Sequence, residues 1–216
     1  MKEKETLLIA ETYERESFAV TPWGTVLPLK KGENILAVMV TDERIELIVS
    51  HGKKAYLLRG CAGLTEWETG FETDNFTPDD EWEYCRENTF CSYFTWVNLS
   101  TGEVFSHDKK VASCGERVFH IADDECVNLD HGVLCLLRTQ TKAFLLNTQS
   151  NVLSDWYDSL KAVNTRHFMV YLAKKNNKYG LIVPDEKFLP NCVIPVEYDQ
   201  ISYVSENDTF ILEKNN

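Results

Sequence analysis

An imperfect internal repeat closes the chain and limits the folds open to it more than any other feature. Tyr179-Gly180-Leu181-Ile182, then Ile194-Pro195-Val196-Glu197-Tyr198-Asp199-Gln200-Ile201, then Phe210-Ile211-Leu212-Glu213-Lys214 follow the same order as Phe144-Leu145-Leu146, Trp156-Tyr157-Asp158-Ser159-Leu160 and Phe168-Met169-Val170-Tyr171. A self-similar unit of about 40 residues cannot bury its apolar face alone, so neighbouring units must share a core. The alignment places Tyr179, Leu181, Ile194, Tyr198 and Ile201 in the core of the last unit, against Phe144, Leu146, Tyr157 and Leu160 of the unit before it.

Strand signals fill most of the remaining sequence. Asn34–Val40 and Arg44–Val49 are rich in branched apolar residues and flank the polar Thr41-Asp42-Glu43, the pattern of a hairpin. After His51-Gly52-Lys53, Ala55-Tyr56-Leu57-Leu58 adds a third strand to make a meander. Lys54–Leu58 also resembles Lys142–Leu146, and Trp23-Gly24-Thr25-Val26 resembles Tyr179–Ile182. In the middle, Phe94–Leu99 and Val104-Phe105 flank the turn Ser100-Thr101-Gly102-Glu103, and Asn98–Phe105 aligns without gaps on Leu146–Leu153. Val118–Ile121 and Val133–Leu137 are further strands, and Ser154–Leu160 reads as a turn leading into a strand. The exception is Thr77–Asn88. A capping Thr77, Pro78 at the first helical position and carboxylates through the first turn predict a helix of two to three turns there.

The expected fold is therefore all-β, an array of hairpin or meander units with one short helical insertion near residues 78–88. One repeat-built domain spans 1–216: an N-terminal meander over 1–62, an acidic insertion with the helix over 63–92, and β units near 93–140, 141–176 and 177–214.

Lys178-Tyr179-Gly180-Leu181-Ile182, a turn, and then Ile194-Pro195-Val196-Glu197-Tyr198-Asp199-Gln200-Ile201 resemble a WG repeat, with Tyr179 in place of the usual Trp. The upstream copy has Phe144 where the Gly falls and lacks the Pro. The resemblance implies a β-hairpin array used for binding or scaffolding, mostly in bacterial proteins, with no catalytic set to transfer. Trp96–Val104 also resembles a blade of a β-propeller. Whatever the family, Gly180 suits a bend or a close approach to backbone, Pro195 marks an edge or a strand start, and Asp199 suits a bond back to amides of a turn.

Charge narrows the function. The formal net charge is −12, which opposes nucleic acid and anionic membranes as partners, because affinity for them begins with Lys and Arg neutralising phosphates. Between Glu66 and Glu87 nine carboxylates face Arg86 alone, so this window holds eight of the twelve net charges. Trp67, Phe71, Phe76, Trp82 and Tyr84 interleave with those carboxylates, a mixture of anchors and steering charge that suits a basic protein partner. The candidate partner-binding residues are Trp67, Glu68, Phe71, Asp79, Asp80, Glu81 and Glu83. An inhibitor of the immunity type, neutralising a basic toxin, is the concrete form of that expectation. The rival for Trp82 is that it covers an open face of the array.

Residues able to carry catalysis are sparse. Seven cysteines at irregular spacing, in a sequence that opens with no apolar export segment, read as reduced thiols in a cytoplasmic protein. Cys126, His131 and Cys135, with His120 or Cys114 as a fourth ligand, have the residue types of a zinc site but not its spacing. Cys114 with His120 and Asp123 or Asp124 has the types of a thiol nucleophile, base and orienting carboxylate, the basis of an alternative thiol- or metal-dependent hydrolase centred on Cys114, His120 and His131. Asp74, Asn75, Asp79, Asp80 and Glu81 are oxygen donors in one stretch without the glycine-centred loop of an EF-hand. Neither a cofactor nor catalysis is expected.

Overall fold

The computed structural model describes residues 8–11, 17–20, 24, 26–40, 44–61, 68–74, 81–85, 95–106, 109–121, 125–129, 132–183 and 191–215. Over these residues the chain lays down six antiparallel sheets in sequence order. The first holds β1 (Leu8–Glu11), β2 (Ser17–Val20) and β3 (Val26–Leu29). The second holds β4 (Glu33–Val40), β5 (Arg44–His51), β6 (Lys54–Cys61) and β7 (Glu68–Thr73). The third runs β8 (Trp82–Cys85), β9 (Thr95–Asn98), β10 (Glu103–Ser106), β11 (Lys109–Ser113). In the fourth, β12 (Val118–Ile121) and β13 (Val127–Leu129) share one side of β14 (Gly132–Thr139), which continues to β15 (Ala143–Asn147) and β16 (Val152–Leu153). The fifth runs β17 (Ser159–Asn164), β18 (Met169–Lys175), β19 (Lys178–Val183), β20 (Asn191–Tyr198), and the sixth pairs β21 (Gln200–Val204) with β22 (Thr209–Glu213).

Successive side chains of a strand point to opposite faces, and here both faces of the interior sheets are covered. Ile45, Leu47 and Val49 of β5 pack on Ala19 and Leu29 of the first sheet. Ile48, between them, packs instead with Trp96 and Phe105 of the third. In β14, Val133, Cys135 and Leu137 face the third sheet, whereas Leu134 and Leu136 join Tyr171, Ala173 and Ile182 of the fifth. Val170 and Leu181 meet Ile201 of the sixth. Two-sided burial is the physical reason that the central strands read as unbroken apolar runs. The sheets superpose strand on strand: β4 lies beside β8 on one edge, and β7 beside β11 and β11 beside β16 on the other.

Two hairpin loops, β9–β10 and β15–β16, share one chemistry. Asn98 Oδ1 accepts from the N–H of Ser100 at 3.0 Å and of Thr101 at 3.2 Å, and Asn147 Oδ1 accepts from Gln149 at 2.9 Å and Ser150 at 3.1 Å. Both are Asx turns, and each four-residue loop ends in the left-handed region, at Gly102 (φ 70°) and Asn151 (φ 55°). The pairs Asn98↔Glu103 and Asn147↔Val152 make Asn98 equivalent to Asn147. The sequence alignment of Asn98 on Leu146 is thus out by one residue, a slip that would turn every side chain to the wrong face. The parity of Lys54–Leu58 with Lys142–Leu146 does hold: Ala55 and Leu57, like Ala143 and Leu145, face the following sheet.

The Tyr-Asp corner of the repeat joins one sheet to the next. Tyr157 bridges Ala143 and Tyr198 pairs with Tyr179, each at the end of a sheet, and after one intervening Asp the next sheet begins. Each sequence unit consequently straddles two sheets: residues 141–176 supply β15 and β16 of the fourth with β17 and β18 of the fifth. For this reason the expected joint core divides into three. Phe144 and Leu146 face the third sheet, Leu160 lies between fourth and fifth with Tyr157 packed beside it, and Tyr179, Leu181, Ile194, Tyr198 and Ile201 belong to the fifth and sixth.

The predicted helix is also corrected. Trp82–Cys85 is strand β8, paired with β9 from Trp82↔Asn98 to Cys85↔Thr95. A helix would put Trp82 and Cys85 on one face, three residues apart, whereas the strand sends Trp82 toward the second sheet and Cys85 toward the fourth. Pairing that completes a sheet overrides the capping signals at Thr77 and Pro78, which lie outside the described residues. The supposed insertion instead supplies the last strand of one sheet and the first of the next. Gly24, at φ 85° in open space, does not share the role of Gly180 inside β19. Pro195 sits in β20, the edge strand of its sheet, as expected.

Candidate binding surfaces

The described carboxylates of the acidic window do not form one surface. Glu68, Glu72 and Asp74 lie on or just after β7, while Glu81 and Glu83 lie at β8, and these strands occupy opposite edges of the stack. Three strand spacings, roughly 14 Å, separate the edges of a four-stranded sheet. The carboxylates also have local partners: Glu68 pairs with Arg59, Glu72 and Asp74 with Lys54, and Glu81 with Arg117 at 3.0 Å. Glu83 is half-buried. Phe71, expected as an anchor, is corrected to core: it is 1% exposed and stacks on Phe105 at 4.5 Å between ring centroids and on Trp82 at 5.8 Å. The reading of Trp82 as a cover for an open face fits that stack better than an interface role. Trp67, Phe76, Asp79 and Asp80 lie outside the described residues, as does Asn75 of the calcium candidates.

Beside β7, a recess of about 360 Å³ is lined by Glu33, His51, Lys54, Tyr56 and Glu72, among others. The Tyr56 hydroxyl donates to the Glu33 carboxylate, and burial followed by that bond drives its ionisation far above the usual tyrosine range. Glu33 and Tyr56 carry no motif, and 23 residues separate them, so only the sheet register brings them together.

The thiol candidates are core residues. Cys114 is 7% exposed among Cys85, Val104, Val118 and Cys135. Burial, and after it the Glu116 carboxylate, pushes its thiol up to about 12, which keeps it protonated and a poor nucleophile at neutral pH. His120 lies on β12 with its backbone paired to Arg138, and Asp123, Asp124 and His131 lie outside the described residues. Cys135 is fully buried and Cys126 half-buried against the same cluster. Cys85, Cys114, Cys126 and Cys135 form no disulfide. Among the described residues no three His, Cys, Asp or Glu side chains converge as metal ligands.

Two features escape sequence patterns. Trp96 Nε1–H donates to Glu46 Oε2 at 2.8 Å, with both residues buried between the second and third sheets. Trp156 stands 37% exposed, with the Lys175 Nζ 4.4 Å and the Lys142 Nζ 5.7 Å from its ring centroid. A scan against protein-family models finds no match to the chain, and a search of curated proteins finds none either. No helix among the described residues is long and apolar enough to cross a membrane.

Proposed function

We propose that this chain is a non-catalytic, cytoplasmic protein-binding or scaffolding module of the WG-repeat type, inhibitory in the immunity sense if its partner is a toxin, and that its partner is a basic protein. The observation that carries this reading is the filling of the space between successive sheets by five apolar clusters. Such an interior supports recognition at strand edges and loops. The net charge of −12 favours encounter with a basic surface. In this reading the docking surface is the β7 edge, where Glu68, Glu72 and Asp74 stand near the recess at Glu33 and Tyr56. The hydrolase reading is not favoured, because it requires a thiolate from the buried Cys114.

Crosslinking with a carboxylate-directed reagent in native lysate, followed by peptide mapping, tests the proposal. The expected product joins a basic protein to Glu68, Glu72 or Asp74, is lost at high salt, and is lost in Glu68→Lys/Glu72→Lys. An acidic protein joined to Glu68, Glu72 or Asp74, an absence of crosslinks at that edge, or substrate turnover abolished by Cys114→Ser would overturn it.

A further inference from the structure

The chain is acidic as a whole but not between Arg138 and Lys178, where seven Lys and Arg residues stand against Asp155 and Asp158. The fold gathers part of this surplus onto aromatic rings. Besides the two lysines at Trp156, Lys175 lies 5.8 Å from the Tyr157 centroid and Lys174 lies 5.6 Å from that of Tyr179. Among the described residues no carboxylate lies within ion-pairing distance of Lys142, Lys174 or Lys175, unlike Lys54, Lys110, Lys178 and Lys214. A groove of about 480 Å³ opens beside Trp156, with Val111 and Ala112 on one wall and Phe144, Val152 and Leu153 on the other. Its first wall is β11, which among the described residues is an edge strand paired with β10 alone. Its second wall is interrupted: β16 is two residues long, and beyond it the Ser154 hydroxyl oxygen takes the place of a strand carbonyl in accepting from the Leu145 N–H at 2.9 Å.

From this juxtaposition we propose that the Trp156 groove binds an extended acidic segment of a partner protein, an apolar side chain entering beside Val111 and Val152 while flanking carboxylates meet Lys142 and Lys175. An open strand edge suits an extended backbone. A half-exposed Trp beside an apolar slot supplies the anchor. Two lysines held over its ring supply charge complementarity without a competing ion pair. Asp155 also lines the groove, so the ligand's carboxylates are held at the lysine-flanked Trp156 end. A free lysine pair could also attract phosphates, but the charge of the rest of the chain repels a long polyanion, and a short acidic peptide with an apolar anchor uses both the slot and the lysines. The site is independent of the acidic β7 edge and gives the module a second surface of opposite sign.

The test uses the full chain and a fluorescently labelled heptapeptide of alternating aspartate and leucine, with its lysine-leucine counterpart, a single-stranded DNA oligomer and phosphatidylserine vesicles as competing probes. The expected result is saturable binding of the aspartate peptide, weakened about tenfold in Lys142→Gln/Lys175→Gln as charge complementarity is removed, and about thirtyfold in Trp156→Ala, the scale of a hot-spot truncation. The Glu68→Lys/Glu72→Lys variant should bind the peptide unchanged, which separates this site from the basic-partner surface. No saturable binding, equal binding of the lysine peptide, undiminished binding by the lysine-to-glutamine variant, or equal binding of DNA or vesicles at the same residues would overturn it. If Trp156→Ala fails to fold, the lysine variant decides alone, because among the described residues the Lys142 and Lys175 side chains contact only the aromatic rings they cover.

Discussion

Asp199 Oδ2 accepts a hydrogen bond from the backbone N–H of Asn215 at 2.8 Å, and Asp158 Oδ2 accepts one from Asn176 at 2.7 Å. The two bonds are the same bond in successive units. Each ties the corner where a sheet begins to the far end of that sheet's second strand, and in each a lysine lies over the preceding tyrosine, Lys214 over Tyr198 and Lys175 over Tyr157, at 5.8 Å. The Tyr-Asp signature is therefore a clamp between sheets.

The clamp sets an acid dependence. The hydrogen bond from Lys178, and then that from the Asn215 amide, hold the Asp199 carboxyl below the ordinary value of 3.8, and Tyr203 does the same for Asp208. A depressed folded-state pKa contributes stability that is present above the unfolded value and lost as pH falls through the folded one. Thermal unfolding midpoints should fall as pH drops below about 4, and Asp199→Asn should flatten that fall while lowering the midpoint at neutral pH. An unchanged profile in Asp199→Asn would show that the clamp carries no stability.

Alkali should act through buried acids. The Cys114 thiol, raised to about 12 from 9.0, and the Tyr171 hydroxyl, raised above the usual range chiefly by burial, both ionise more readily in the unfolded chain. Their contribution is complete below the unfolded values and is lost as pH rises through them toward the folded ones. Native protein at pH 8 should leave Cys85, Cys114 and Cys135 unmodified by iodoacetamide, whereas denatured protein should alkylate all three. Rapid modification of Cys114 in the native state would contradict its burial.

Gly180 fills a position that admits no side chain. A Cβ there would lie 2.6 Å from the Ile194 carbonyl oxygen and 2.9 Å from the Val196 nitrogen, in a bulged stretch of β19 and β20. Gly180→Ala should cost about 1–3 kcal/mol, the range of overpacking, measured by urea unfolding. Gly102→Ala should cost at least as much, since its φ is 70° and its Cβ would meet the Glu116 carbonyl oxygen at 2.1 Å.

Trp96→Phe removes the indole N–H from the buried Glu46 carboxylate while keeping most of the ring volume. A destabilisation of about 1–3 kcal/mol is expected from the loss of a donor to a buried acceptor. Urea unfolding of Trp96→Phe, Glu46→Gln and the double variant checks it, because a double-mutant cycle isolates the coupling.

Truncation after Thr165 removes β18 to β22 and uncovers Leu134, Leu136 and Leu145, which pack on Tyr171, Ala173 and Ile182. Each large apolar side chain left in water forfeits about 1.5–3 kcal/mol, so residues 1–165 should unfold or aggregate. Size-exclusion chromatography and circular dichroism decide, and a folded monomeric product would refute the shared core.

Much of the strand content is legible in the chain because local chemistry dictates it. Branched apolar runs make strands; Asn98 with Gly102 and Asn147 with Asn151 make loops; and the Tyr-Asp repeat marks corners, since each of these depends on residues close in sequence. What the sequence could not yield is the assignment of faces and edges. An unbroken apolar run does not say which residues look forward and which back, so Phe144 and Leu160 were expected to pack together although they face different neighbours. Capping residues favour a helix at Trp82–Cys85 until β9 offers those residues a strand to pair with. The same is true of the surfaces: nine clustered carboxylates look like a single docking face, but successive sheets carry Glu68, Glu72 and Asp74 to one edge and Glu81 and Glu83 to the other. Lys142 and Lys175, 33 positions apart, meet over Trp156 only because the hairpin ends of adjacent sheets stack. Local propensity acts over a few residues, whereas register and stacking are set by burying both sheet faces at once, a condition that only the assembled array satisfies.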